Sequence, residues 1–412
     1  METGSLILIL SVCAGFFMAF SLGANDVANA MATSVASKAI TLKQALFLAA
    51  ILNCVGSVFL GSQVVATIAT GIIDPRATPD KFLFMLGMFS ALLAAGLWVL
   101  VASLTSLPVS STHSIVGSIV GLGLVLGGPE VVNWKVLLSI MLAWILSPLA
   151  GALVAFLTFT HIKKYILFAR NMLRGALRWV PVWLGLTVAL ILLSFLYKTP
   201  LGKTFGLSWW QGILIGVAML GLVILICRLI LPRIVNFRRK ATEQVEEMFR
   251  HMQLCTACYV ALSQGANDVA NAIGPVAAIY LVAGNSEIMG QAVVPLWLLI
   301  TGGVGIAAGI CLLGHRVMTT IGERITSINN SRGFAVDFSS ATTVLIATNL
   351  GMPVSSTHSA VGAVVGVGLA RGWAAVDFRV LGKIVLYWGL TVPIAGFTCV
   401  VIYTLLRYLF AS

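Results

Sequence analysis

Two acids stand in stretches of sequence that otherwise suit hydrocarbon. Asp26 lies in "SLGANDVANA" (21–30) and Asp268 in "GANDVANA" (265–272), so the octet that begins at Gly23 returns 242 residues later. An ionised carboxylate at the centre of a bilayer costs at least ~2.5–3.5 kcal/mol, and something must offset that cost twice. Asn25 and Asn267 precede the acids, and amide and carboxylate oxygens are hard donors. Such a cluster suits Na+, or a proton held on the carboxylate. A purely structural role, with each acid capping a helix or bonded to its Asn, accounts for one such residue better than for a duplicated octet. The Gly, Ala and Val neighbours allow backbones to approach closely. Because Asn and Asp compete with helical hydrogen bonding, the helix is expected to break at both motifs.

The second repeated motif carries the opposite chemistry. "PVSSTHS" at 108 returns at 353, and each copy runs into an apolar, Gly-rich segment. Pro, then Ser or Thr, then an apolar run reads as a helix start. Hydroxyls and unpaired N–H groups at a helix N-terminus form an anion site, strengthened by the macrodipole. Ser110, Ser111 and Thr112, with Ser355, Ser356 and Thr357, could hold one tetrahedral oxyanion between two opposing half-helices. The plainer alternative is that these residues only cap buried helices. His113 and His358 follow the hydroxyls and are expected to orient the loops or reach the substrate. A Ser-His hydrolase needs one nucleophile, one base and one oxyanion hole, so a duplicated set has no use in an enzyme. A passive anion channel has no need of the buried acids.

Charge links the two motifs. A divalent phosphate beside two aspartates sums to −4, and neither motif contains Lys or Arg. At low dielectric that assembly requires cations: about two or three Na+, or protonated carboxylates with a less charged anion. Substrate and ion then enter together. A protonated phosphate can donate a hydrogen bond to an acid where sulfate cannot, which leans the choice toward phosphate. Asn beside Asp leans it toward Na+, with proton coupling, sulfate or a metal-phosphate as the alternatives.

The elements that position these residues are helices in a membrane. Of 412 residues, 59% are hydrophobic and 9% charged, with mean hydropathy +1.03, far outside soluble domains. Many runs reach the ~20 apolar residues of a spanning helix, and the alternating ten-residue strands of a transmembrane barrel are absent. Twelve apolar segments are expected, near 5–37, 42–72, 82–107, 109–127, 134–160, 182–197, 209–230, 252–283, 291–313, 335–350, 352–370 and 380–406. The amino terminus has no basic start before its apolar run, so the first segment is read as retained. The seven cysteines lie in or beside apolar runs and read as packing residues; Cys255 and Cys258 form a CxxC without a second pair or ligating His.

The net charge of +12 does not indicate nucleic acid, because 19 of the 25 Lys and Arg fall after odd-numbered segments. That asymmetry is the positive-inside signature, which places those connections in the cytoplasm and both termini outside. The two motif pairs, with weaker echoes such as "AWILSPLAG" at 143 and "YWGLTVPIAG" at 387, predict five-segment repeats over 1–160 and 251–412. Residues 161–250 form an insert of two transmembrane helices with basic flanks. Seven crossings separate the two starts, so the second copy is inverted, a common construction of secondary transporters. Within the insert, "HIKKYILFARNMLRGALRW" is expected to lie in the membrane interface and "FRRKATEQVEEMFRHMQ" to form a solvated helix.

The duplicated "GANDVANA" and "PVSSTHS" in an inverted arrangement of about twelve helices resemble the inorganic phosphate transporter (PiT) family, in its prokaryotic form, over essentially the whole chain. The resemblance implies an all-α integral membrane protein with two inverted repeats and broken helices or re-entrant loops. It implies a plasma (inner) membrane symporter that imports phosphate with Na+, has no cofactor, and assembles in the bilayer as a homodimer. Phosphate would sit at Ser110, Ser111, Thr112, Ser355, Ser356 and Thr357, and sodium at Asn25, Asp26, Asn267 and Asp268. Asp337 in "GFAVDFSS" matches an acid of such relatives and enters as an accessory ion-site residue. Alternation of access by an elevator or rocking motion is likewise implied by the resemblance.

Overall fold

A computed structural model describes residues 3–73, 80–198, 206–234, 240–284, 294–318 and 327–410. Among these residues the protein is helical, apart from one isolated antiparallel bridge between Ile73 and Val132. It is an all-α membrane protein. The helices are α1 (Thr3–Ala36), α2 (Leu42–Leu60), the short α3 (Ser62–Ala66), α4 (Lys81–Leu104), α5 (Ser111–Leu126), α6 (Trp134–Ile162) and α7 (Met172–Lys198). There follow α8 (Trp209–Ile234), α9 (Ala241–Ala283), α10 (Leu296–Leu313), α11 (Asn330–Asn349), α12 (Ser356–Arg371) and α13 (Phe378–Phe410).

Local chemistry sets several of the starts. Thr41 closes a reciprocal capping box with Gln44 at α2, and Asp80, Asn133 and Asn329 cap α4, α6 and α11 through their side chains. Each cap satisfies a backbone N–H that has no partner within the helix.

All twelve expected segments carry a helix, and nine helices among the described residues are long and apolar enough to cross a bilayer: α1, α2, α4, α6 to α10 and α13. Helices α5 and α12, of 16 residues each, extend ~24 Å at 1.5 Å per residue, short of a ~30 Å hydrocarbon core. They start head to head. Thr112 near the start of α5 donates to the carbonyl of Val354 just before α12, and Thr357 near the start of α12 donates to the carbonyl of Val109 just before α5, both at 3.2 Å. From that meeting they diverge. The Gly123 end of α5 packs on Val132 beside the start of α6, and the end of α12 receives Lys163, just past the end of α6.

Contacts between helices come in matched pairs. Helix α1 packs on α4 as α9 packs on α11; α1 packs on α10 as α9 packs on α2; α5 packs on α13 as α12 packs on α6. Helices α1 and α9 also pack on each other, while α8 packs on α7 at the margin.

One sequence expectation is corrected and two stretches gain their boundaries. Helices α1 and α9 run unbroken through both octets. The physical reason is that the Asn and Asp side chains find partners on other segments and leave their own helical ladder intact. The basic stretch after α6 is shared between two elements: Lys163–Leu167 continues α6 as one π-helical turn, and Met172 already belongs to α7. The mixed-charge stretch is helical as expected and continuous with α9; its first residues, 237–239, lie outside the described residues.

Candidate functional site

Both octet glycines sit where helices touch. A methyl group at Gly23 would collide with the carbonyl of Ile306 in α10, and one at Gly265 with the carbonyl of Asn53 in α2. Close approach of this kind is what small residues permit in membrane bundles. It seats α1 and α9 firmly, with Asp26 and Asp268 fully buried between their neighbours.

The next residue along each face secures a loop. Asn25 donates to the Leu107 carbonyl at 3.0 Å and to Ser103 at 3.2 Å, and accepts from the Val109 N–H at 3.3 Å. In the other half Asn267 donates to the Val354 carbonyl at 2.8 Å. Each amide therefore holds the chain just before a Ser-Ser-Thr motif.

The three hydroxyls of each motif divide their work. Ser110 and Ser355 are the N-caps, accepting from the His113 and His358 N–H groups at 3.2 Å. Ser111 donates to Asp26 at 2.7 Å and Ser356 to Asp268 at 3.1 Å. Thr112 and Thr357 make the reciprocal bonds between the halves described above. Asn29 donates to Thr357 at 3.0 Å and to Ser356 at 3.4 Å, while Asn271 donates to Thr112 at 3.1 Å and to Ser111 at 3.4 Å. The structure thus brings Asn25, Asp26, Asn267, Asp268 and all six hydroxyl residues into one buried cluster at the meeting of two helix N-termini.

The cluster is rich in oxygen and poor in cations. The buried side-chain oxygens of Asn29, Asn267, Asn271 and Gln264 have no hydrogen-bond partner among the described residues. No Lys or Arg is buried among the described residues. Four unpaired amide oxygens beside two carboxylates form a donor set for small hard cations, and leaving them unpaired in a dry interior is costly.

The histidines form a core of their own. His113 donates through Nδ1 to the Trp388 carbonyl at 3.1 Å, and His358 to the Trp144 carbonyl at 3.0 Å. Each His also lies against the other tryptophan, His113 on Trp144 at 3.8 Å and His358 on Trp388 at 3.6 Å, and the two imidazoles meet edge to face at 4.5 Å. Pro148 explains why one carbonyl is available: lacking an N–H, it leaves Trp144 without its helical donor. The histidines therefore tie α5 to α13 and α12 to α6.

Asp337 is not part of the central cluster. It accepts from Thr33 at 2.6 Å, with Gln253 and Ser34 beside it, and its second oxygen meets no hydrogen-bond geometry among the described residues. Thr33 lies two turns, ~10.5 Å, along α1 from Asp26.

Sequence reasoning did not single out Asn29, Asn271, Gln264, Trp144 or Trp388 as site residues. The two asparagines lie inside the repeated octet, and the tryptophans inside the weaker "AWILSPLAG" and "YWGLTVPIAG" echo, so both pairs had a signal. Gln264, which donates to the Asp26 carbonyl at 2.7 Å, precedes the second octet where Leu22 precedes the first, and repetition could not reveal it.

The class to which this fold belongs is the multi-pass membrane transporter. The chain is a member of the phosphate transporter family, whose model matches residues 22–399. It is 45% identical over 400 residues to the "Putative phosphate permease" of Pyrococcus abyssi, covering 97% of this chain and 98% of that one. It is 40% identical over 416 residues to the chloroplastic inorganic phosphate transporter 2-1 of Arabidopsis thaliana, covering 95% and 70%. A solved structure, "The sodium-dependent phosphate transporter", superposes with a TM-score of 0.91 at 42% identity, covering 98% of this chain and 99% of that one. The chain is accordingly a transporter and not an enzyme.

Proposed function

We propose that the protein is a sodium-coupled phosphate symporter. One observation carries the reading: two buried carboxylates and four unpaired amide oxygens surround two opposed helix N-termini with no buried cation among the described residues. Phosphate takes the hydroxyls and N–H groups of Ser110, Ser111, Thr112, Ser355, Ser356 and Thr357. Sodium ions take the oxygens of Asn25, Asp26, Asn267 and Asp268, joined by Asn29, Asn271 and Gln264. Ser111 and Ser356 bridge the two sets, since each already donates to an acid. When sodium takes over an acid's charge, its serine turns to the anion. Coupling then follows from electrostatics, because neither charge is stable there alone.

The matched contacts support reading 1–160 and 251–412 as repeats with 161–250 as an insert, and the distribution of Lys and Arg supports opposite orientations of the repeats, both termini outside, and the basic connections in the cytoplasm of a plasma-membrane protein. The two halves can rock or slide against one another to expose the site to each side in turn. Asp337, with Thr33, is an accessory ion position along α1, and a homodimer is the expected assembly. The similarity to a structure titled as a sodium-dependent phosphate transporter supports sodium over protons. The test is uptake of labelled phosphate into proteoliposomes: accumulation driven by an imposed Na+ gradient supports the reading, and accumulation driven only by a pH gradient replaces sodium with protons.

A further inference from the structure

The end of the bundle that carries most of the positive charge holds a pocket of about 630 Å3 between the end of α6 and the end of α12. Three cations, Lys163, Lys164 and Arg371, share its lining with the rings of Phe156 and Phe168. Lys163 is already drawn inward, donating to the Ala370 carbonyl at 3.2 Å, while Lys164 remains exposed. Below the pocket, α6 presents Leu149, Leu153 and Leu157 outward, each 57–61% exposed, which is the lipid-facing surface of a membrane helix. Phe168 and Trp373, 75% and 74% exposed beside the pocket, are aromatic rings of the kind that sit at headgroup depth.

The matched architecture makes the cluster more pointed. The echo of "AWILSPLAG" at 143 and "YWGLTVPIAG" at 387 aligns Trp144 with Trp388, so the counterpart of Lys163 is Arg407, that of Lys164 is Tyr408, and that of Arg371 at the end of α5 is Leu126. Three cations stand at one end and one at the other. The positive-inside bias accounts for cations at this end in general; their gathering around one pocket that also carries aromatic rings is what fits an anionic headgroup.

We propose that this pocket binds the phosphate headgroup of an acidic phospholipid, with an acyl chain lying along the Leu149–Leu153–Leu157 face of α6. The headgroup supplies negative charge beside Lys163, Lys164 and Arg371, the last of which also donates to Ser327, and the chain covers the apolar face of α6. Juxtamembrane Lys and Arg clusters and basic pockets between helices recognise such headgroups. The site also has a route to the transport core. Arg371 ends the same 16-residue helix that begins at Ser356, and α6, which carries Lys163 at its end, also supplies the Trp144 carbonyl that holds His358. A headgroup clamped across Lys163 and Arg371 fixes α12 against α6 and with it the second Ser-Ser-Thr motif. The inference does not depend on which cation is coupled.

The test uses the full-length protein in detergent, with phosphatidylglycerol and phosphatidylcholine titrated as probes and retained lipid counted by native mass spectrometry. Phosphatidylglycerol is expected to be retained over phosphatidylcholine by the unmodified protein, and K163Q/K164Q is expected to lose that preference by about tenfold or more. K43Q/K383Q, which removes as many exposed charges elsewhere, is expected to keep it. In liposomes of phosphatidylcholine alone the three proteins should transport phosphate at the same rate, and added phosphatidylglycerol should raise the rate only for the unmodified protein and K43Q/K383Q. Equal retention in K163Q/K164Q would overturn the proposal. So would displacement of the lipid by inorganic phosphate, which would assign the pocket to a soluble anion. Loss of transport by every protein in every lipid would instead count against the transport reading, while the retention assay would still decide the lipid site.

Discussion

Ser111 donates its hydroxyl to Asp26 at 2.7 Å across 85 residues of sequence, joining the two repeated motifs of the first half in one bond. Ser356 and Asp268 repeat the bond at 3.1 Å in the second half. A hydrogen bond to a charged group contributes about 1.5–3 kcal/mol. Ser111→Ala and Ser356→Ala are each expected to weaken apparent phosphate affinity by roughly 10- to 100-fold, read from the concentration dependence of uptake. Equal losses are the signature of a shared site. A hydrolase would lose activity with one substitution and ignore the other.

Asn25 should behave as a structural clamp as much as a ligand. Asn25→Ala removes three bonds that hold Ser103 and the Leu107–Val109 strand of chain, and leaves buried groups unpaired at about 1–3 kcal/mol each. The expected outcome is a clear fall in the unfolding temperature in detergent together with loss of uptake.

The histidines are positioning groups in this account. His113→Phe keeps a ring against Trp144 but strips the donor from the Trp388 carbonyl, so uptake should fall. His113→Asn places an N–H near the same position and should restore part of it. Failure of Asn together with a change in the pH profile would point to proton transfer by the imidazole instead.

Close helix approach gives a stability contrast. Gly23→Ala drives a methyl into the Ile306 carbonyl and should cost about 1–3 kcal/mol. Gly389→Ala meets nothing within 4 Å and should be neutral or stabilising by up to ~1 kcal/mol. Thermal unfolding of the two purified variants reads both effects.

Much of this was legible in the sequence because the chemistry is written twice. The duplicated octet and heptad pointed to both halves of the buried cluster, and each expected apolar run carries a helix among the described residues. What was misread has physical causes. Asn and Asp propensities argued for broken helices at 23–30 and 265–272, but Asn25 and Asn267 pair with distant backbone and spare their own, so α1 and α9 stay whole. Gln264 escaped notice because Leu22 stands in the corresponding place. The lengths of α5 and α12 depended on where the loops at 105–110 and 350–355 are pinned, which only the Asn25 and Asn267 contacts reveal.

The central claim, that phosphate is held only with cations on Asp26 and Asp268, is tested most directly by equilibrium binding of labelled phosphate to the purified protein across a range of Na+ concentrations at constant ionic strength. Affinity should rise steeply with Na+ in the unmodified protein, and that dependence should disappear in Asp26→Asn and Asp268→Asn, because binding linkage is reciprocal. Phosphate bound equally tightly with and without Na+, at every pH tested, would contradict the account.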